Sequence, residues 1–104
     1  MTPEELAEQL QDRAPAAYMV FETPQQPPYI VYALPDTNVV HADNRHYHTI
    51  PNGWLELYMK RLDFGLMKRV EDVFISGGLP WEKENEVYID SEKLFQARWS
   101  FVLI

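Results

Sequence analysis

The chain has 104 residues, no cysteine and a formal net charge of −7, with 46% hydrophobic and 24% charged residues. That composition fits one folded domain, residues 1–104, with enough apolar content for a core, and argues against disorder. It excludes a disulfide framework, a thiolate metal site and a cysteine nucleophile, and suits a reducing cytoplasm.

Met1-Thr2-Pro3-Glu4-Glu5 is acidic and polar, unlike a signal peptide. Thr2, with Pro3 next and Glu5 three residues on, is a capping-box arrangement. Leu6 and Leu10 follow at helical spacing, so a short amphipathic helix should end near Pro15. Ala16 to Phe21 turns strand-like, and Thr23 to Pro28 is a proline-rich loop. Four of the eight prolines lie between Pro15 and Pro28, marking connections. Tyr29 to Leu34 is rich in β-branched and aromatic residues and predicts a strand, which Pro35-Asp36 should stop. Val39 to Ala42 is a second short strand, Asp43-Asn44 has turn chemistry, and Arg45 to Ile50 is extended again. Pro51-Asn52-Gly53 should interrupt that run as a bulge or a turn. Trp54 to Met59 then alternates, with Leu55, Leu57 and Met59 on one face and Trp54, Glu56 and Tyr58 on the other.

Asp63 is a suitable N-cap for a second helix, in which Leu66, Met67, Val70, Val73 and Phe74 recur at helical spacing. Gly77-Gly78 ends it and Pro80 lies just beyond. Glu82, Glu84 and Glu86 should share one solvated strand face. Asp90 to Lys93 is a hairpin connection. Phe95, Ala97, Trp99, Phe101 and Leu103 alternate with Gln96, Arg98 and Ser100, so the chain should finish inside a sheet. The element order is helix, strands, helix, strands. The expected class is α+β: a mostly antiparallel sheet with two helices packed on one face.

Little here points to catalysis. The histidines form His41-x-Asp43-x-x-His46-x-His48, and His46 and His48 could reach one metal from one strand face. Only Asp43 or Asn44 could complete such a set, so a polar hairpin is the better reading and no zinc is expected. The three glutamates have no companion that would make them an acid–base pair. Ser76-Gly77-Gly78 follows a helix instead of opening one, so it is not a phosphate loop. No cofactor is expected. No apolar run approaches the ~20 residues of a membrane span, and no basic stripe marks a specific nucleic-acid surface. Six Tyr, five Phe and three Trp exceed what a small core needs, which suggests an interface. Trp54, Tyr58, Trp81 and Trp99 could also line a pocket.

Several segments in order carry a family resemblance. They are the proline-rich loop before Pro28-Tyr29-Ile30-Val31-Tyr32, the turn Ala42-Asp43-Asn44, the strand Leu55-Glu56-Leu57-Tyr58, the helix end Val70-Glu71-Asp72-Val73-Phe74, and the closing Glu86 to Gln96. Together they resemble the tail-terminator or tail-completion proteins, which serve head–tail joining in long-tailed phages and prophages of Gram-positive bacteria. The chain departs from that pattern at His46, His48 and Pro51-Asn52-Gly53, where the family has a smoother strand. The resemblance implies a non-enzymatic virion protein, assembled in the host cytoplasm. It would form a homo-oligomeric ring, typically a hexamer, that caps the tail tube at its head-proximal end. Its partners would be copies of itself, the tail-tube protein and a head-completion or connector protein, with DNA passing through the ring. A head-completion role at the same joint, or a stand-alone protein-binding module, are the alternatives. The candidate interface residues are Trp54, Tyr58, His41, Asp43, Asn44, His46 and His48, together with the loop Thr23 to Pro28.

Overall fold

The computed structural model describes the backbone of residues 1–42 and 46–104, and the side chains of residues 1–34 and 53–104. The elements run α1 (Pro3–Arg13), β1 (Ala16–Tyr18), β2 (Tyr29–Ala42), β3 (His46–Met59), α2 (Phe64–Ser76), β4 (Trp81–Ile89) and β5 (Leu94–Val102). The strands form one five-stranded sheet in the order β1-β2-β3-β5-β4. Every pairing is antiparallel except the short parallel contact of β1 with β2. The expected α+β class is the one found, and β5 lies inside the sheet between β3 and β4.

Both helices start where the capping chemistry predicts. Thr2 Oγ1 accepts from the Glu5 N–H at 3.1 Å, with Pro3 in the first helical position. Asp63 Oδ1 accepts from the Leu66 N–H at 3.0 Å. α2 ends in two reverse bonds: Gly78 N–H donates to Ile75 O at 3.1 Å, and Leu79 N–H to Phe74 O at 2.9 Å. Gly78 takes φ +67, which glycine adopts without a Cβ clash, and Leu79 returns to the core. The helices are tied to each other by Arg13 Nε donating to Arg69 O and Arg69 Nη2 to Asp12 O.

The core lies between the helices and one sheet face, called the inner face. Leu6 and Leu10 of α1 and Leu66, Met67, Val70, Val73 and Phe74 of α2 meet Ile30, Leu55, Leu57, Met59, Ala97, Trp99 and Phe101 of the strands. Period-two alternation places all these strand residues on one side. Trp99 is fully buried, and its indole N–H finds Glu71 Oε2 at 2.9 Å, so no polar atom is stranded. Phe101 stacks on Phe74 at 5.0 Å. Among the described residues no helix is long and apolar enough to cross a membrane.

Four local expectations need correction. β1 stops at Tyr18 instead of Phe21. Met19 turns to φ 68, its N–H donates to Tyr32 O, and Val20 N–H folds back to Tyr18 O. Pro35-Asp36 does not stop β2, which continues to Ala42. Nor does Pro51-Asn52-Gly53 interrupt β3. Ala33 pairs with Trp54 and Asp36 with Asn52, so the irregularity puts one extra residue on β2. The bulge expected at Pro51-Asn52-Gly53 is thus present in the pairing but carried by the partner strand.

The fourth correction concerns Glu82, Glu84 and Glu86, which do not share a face. Lys83 pairs with Trp99 but Asn85 with Arg98, so β4 also has an extra residue. The bulge resets the alternation. Glu82 pairs with Ser100 on the outer side and Glu86 with Ala97 on the inner side. There Glu86 forms an ion pair with Lys83, three residues away, which a regular strand would hold on the opposite face.

β2 and β3 outrun the rest of the sheet. Pairing of β3 with β5 ends at Asn52–Val102. Beyond it, among the described residues, Thr37–Ala42 pair only with His46–Pro51, as a two-stranded arm.

Candidate functional site

The outer face of the sheet carries the residues that the core does not use. Register aligns them in rows across the strands: Ala33–Trp54–Ser100, Val31–Glu56–Arg98 and Tyr29–Tyr58–Gln96. A solvated antiparallel face is usually a polar one. This one is aromatic and internally hydrogen-bonded. Tyr29 and Tyr58 stack at 5.0 Å. Tyr58 O–H donates to Glu56 Oε1 at 3.0 Å and accepts from Gln96 Nε2 at 3.0 Å. Arg98 pairs with Glu56 through Nη1 and with Glu84 through Nε, and its guanidinium lies 5.1 Å from the Trp54 ring centre. The bulge in β4 brings Glu84 to this arginine.

A cleft of about 410 Å³ opens over this face. Its floor is Tyr29, Val31, Trp54, Glu56 and Tyr58. Its wall is the segment that follows β1, from Met19 to Gln25, and Glu92 of the β4–β5 turn closes one end. Phe21 meets Tyr29 edge-on at 5.6 Å, holding the wall against the floor. Among the described residues three carboxylates line the cleft, Glu22, Glu56 and Glu92, and no lysine or arginine does. The phenols register this setting. Burial and then the Glu92 charge raise the Tyr29 pKa. Burial, with Glu56 adding to it, pushes Tyr58 up to about 12, against the lowering effect of the Gln96 hydrogen bond. The chemistry on offer is recognition of a flat or cationic group, by aromatic faces beside carboxylates. A nucleophile with a base is not assembled here.

The structure therefore brings Trp54 and Tyr58 together on one surface, half-buried and on the side expected, with part of the proline-rich loop beside them. Pro27 and Pro28, joined by a cis peptide, border a different hollow with Lys60 and Arg61. Of the other pocket candidates, Trp99 is core, and Trp81 stacks on Phe74 at the inner edge and lines a second hollow with Gly53, Pro80 and Phe101. His41 lies in β2, and His46 and His48 in β3, where His41 pairs with Tyr47 and His48 with Val40. Their side chains, and Asp43 and Asn44 altogether, lie outside the described residues, as does the zinc expectation that depends on them. Among the described residues no cluster of three or more His, Cys, Asp or Glu could hold a metal.

Sequence reasoning placed Glu56 on the face of Trp54 and Tyr58 but missed Tyr29, Gln96 and Arg98 as their partners. The alternation within each strand was readable, but the register that aligns three strands was not.

No protein-family model matches this chain, and no curated protein matches it by sequence. Among solved structures, a chain from "Virion of native gene transfer agent (GTA) particle" is similar in fold, with a TM-score of 0.54 over 93% of this chain and 88% of that chain, at 10% sequence identity.

Proposed function

We propose that this chain is a structural protein of a phage-like virion. In this reading it caps the tail tube as a homo-oligomeric ring at the head-proximal end, ends tail polymerisation and helps to join tail to head, without enzymatic activity. The observation that carries the reading is the fold shared with a chain of a gene transfer agent virion across 93% of this one. The order of sequence segments that resemble tail terminators points the same way.

The geometry supports it. A ring subunit needs two different patches that meet head to tail. This fold supplies an aromatic outer face as one such patch, and its two-stranded arm at one end gives up sheet pairing and extends past the neighbouring strands. Partners would be further copies, the tail-tube protein and a head-completion or connector protein. A net charge of −7 would let DNA pass without adhering.

The test is electron microscopy of particles made without this protein, and with a form whose residues 41–48 are replaced by a short glycine-containing turn. Over-long tails without heads support the terminator role. Tails of normal length that lack heads would assign the chain to head completion instead. Normal, joined particles in both cases would overturn the proposal.

A further inference from the structure

The cationic side chains are unevenly used. Among the described residues Arg13, Lys83, Lys93 and Arg98 each have a carboxylate partner. Among the described residues the lysines and arginines without one are Lys60, Arg61, Lys68 and Arg69, all between residues 60 and 69. Lys60 and Arg61 are exposed at the turn that follows β3, beside Pro27 and Pro28. The acidic cleft has the complementary surplus: Glu22 and Glu92 are exposed without a cationic partner among the described residues.

The two patches share one end of the sheet, where β2 begins at Tyr29 and β3 ends at Met59. They lie on opposite sides of it. The cleft floor is the outer face, whereas Lys60 and Arg61 border a hollow with Met59 and Leu66, which belong to the core on the inner side. A second copy at the same height, turned about an axis parallel to the strands, would bring its basic corner to the first copy's cleft. Rotation without rise is the operation that closes a ring.

The outermost strands of the sheet, β1 and β4, do not compete for this contact. At β1 both backbone groups of Ala16 are taken by the Gln11 amide: its Oε1 accepts from the Ala16 N–H and its Nε2 donates to Ala16 O. At β4 the bulge and the alternating charges blunt the edge.

We infer that the cleft over Tyr29, Trp54 and Tyr58 receives the Lys60–Arg61 corner of a second copy of this chain. The cations lie against the aromatic faces and are neutralised by Glu22 and Glu92. The inference rests on the ring reading and names its subunit contact.

Two variants test it. The corner variant carries Lys60→Glu with Arg61→Glu and keeps its cleft. The cleft variant carries Glu22→Lys with Glu92→Lys and keeps its corner. All four positions are exposed, and unchanged melting confirms the fold of each. Sedimentation at low and high salt reads association. The wild type should self-associate at low salt and dissociate at high salt, and each variant alone should associate at least about tenfold more weakly. Mixed together, the variants should associate again, because opposite charges meet at both contacts between them: native cleft with native corner, and reversed cleft with reversed corner. Variants that associate like wild type, a mixture that fails to pair, or a wild type that stays monomeric at low salt would each overturn the contact. The ring reading is judged separately. Where particles made without the protein have over-long tails, normal capping by either variant alone would keep it and discard this contact, whereas normal tails without the protein, together with pairing in solution, would keep the contact and discard the tail role.

Discussion

The two faces of the sheet are made by the same strands, residue by alternate residue, yet they do different work. On the inner face Ile30, Leu55, Leu57, Ala97 and Trp99 are 0% exposed and bear on two amphipathic helices. On the outer face Tyr29, Trp54, Glu56, Tyr58 and Arg98 stay half-buried, covered by no helix, and satisfy one another with stacked rings and shared hydrogen bonds. Burial of apolar area gives the first face its stabilising role. The second gains far less from burial, because water still reaches it. Its order is what a partner would use: rings already held in place lose little freedom on binding. The difference predicts that inner-face changes act on folding and outer-face changes act on association.

The largest effect should come from Trp99→Ala. A fully buried indole would be removed and the Glu71 carboxylate left without its donor. Chemical denaturation should show a loss of about 3–5 kcal/mol. A loss within experimental error would place Trp99 outside the core. Next is Gly53→Ala. A Cβ there would sit 2.5 Å from Phe101 Cζ and 2.8 Å from Leu34 Cδ2, so the ring or the strand must shift. Overpacking of this kind costs about 1–3 kcal/mol, and a neutral result would mean that Phe101 rotates freely.

Outer-face changes should be milder. Arg98→Ala removes the links to Glu56 and Glu84 and the stacking on Trp54. Its groups are partly in water, so the expected cost is about 1 kcal/mol or less. A loss as large as that of Trp99 would show the outer face to be structural after all. The smallest effect at neutral pH belongs to Tyr58→Phe, whose signature is alkaline. The folded phenol titrates at about 12 against 10.0 for a free tyrosine. Its raised value leaves stability intact below pH 10 and removes it as the pH rises from 10 toward about 12, because the unfolded chain ionises first. The Phe variant should flatten stability over that window, and an unchanged slope would deny that Tyr58 is its source.

Much of the inner face was legible in the sequence. Leu66, Met67, Val70, Val73 and Phe74 keep the helical period, and Leu55, Leu57, Ala97, Trp99 and Phe101 keep the strand period, so each element displays its buried side locally. The caps at Thr2 and Asp63 were equally plain, because their bonds span three residues. Of the outer site, only the shared strand face of Trp54, Glu56 and Tyr58 was legible. That Arg98 would meet Glu56, Glu84 and Trp54 depends on the register of three strands and on a bulge in β4. The glutamate series misled for the same reason: one extra residue at the bulge moves Glu86 to the other face. Prolines 35 and 51 misled differently. A proline removes one N–H from a strand pair, but Pro35 falls at the irregularity between Ala33 and Asp36, where it has no partner in the ladder, and the pairing of Pro51 with Thr37 tolerates the loss.

The most direct measurement joins stability to tail capping in one variant, Trp54→Ala with Tyr58→Ala. Melting of the purified protein reads the inner face, and tail length with head attachment, scored by electron microscopy, reads the outer one. The division between faces predicts a folded protein that melts cooperatively near wild type and leaves tails over-long and unjoined. A folded variant that caps tails to normal length and joins them to heads would contradict it.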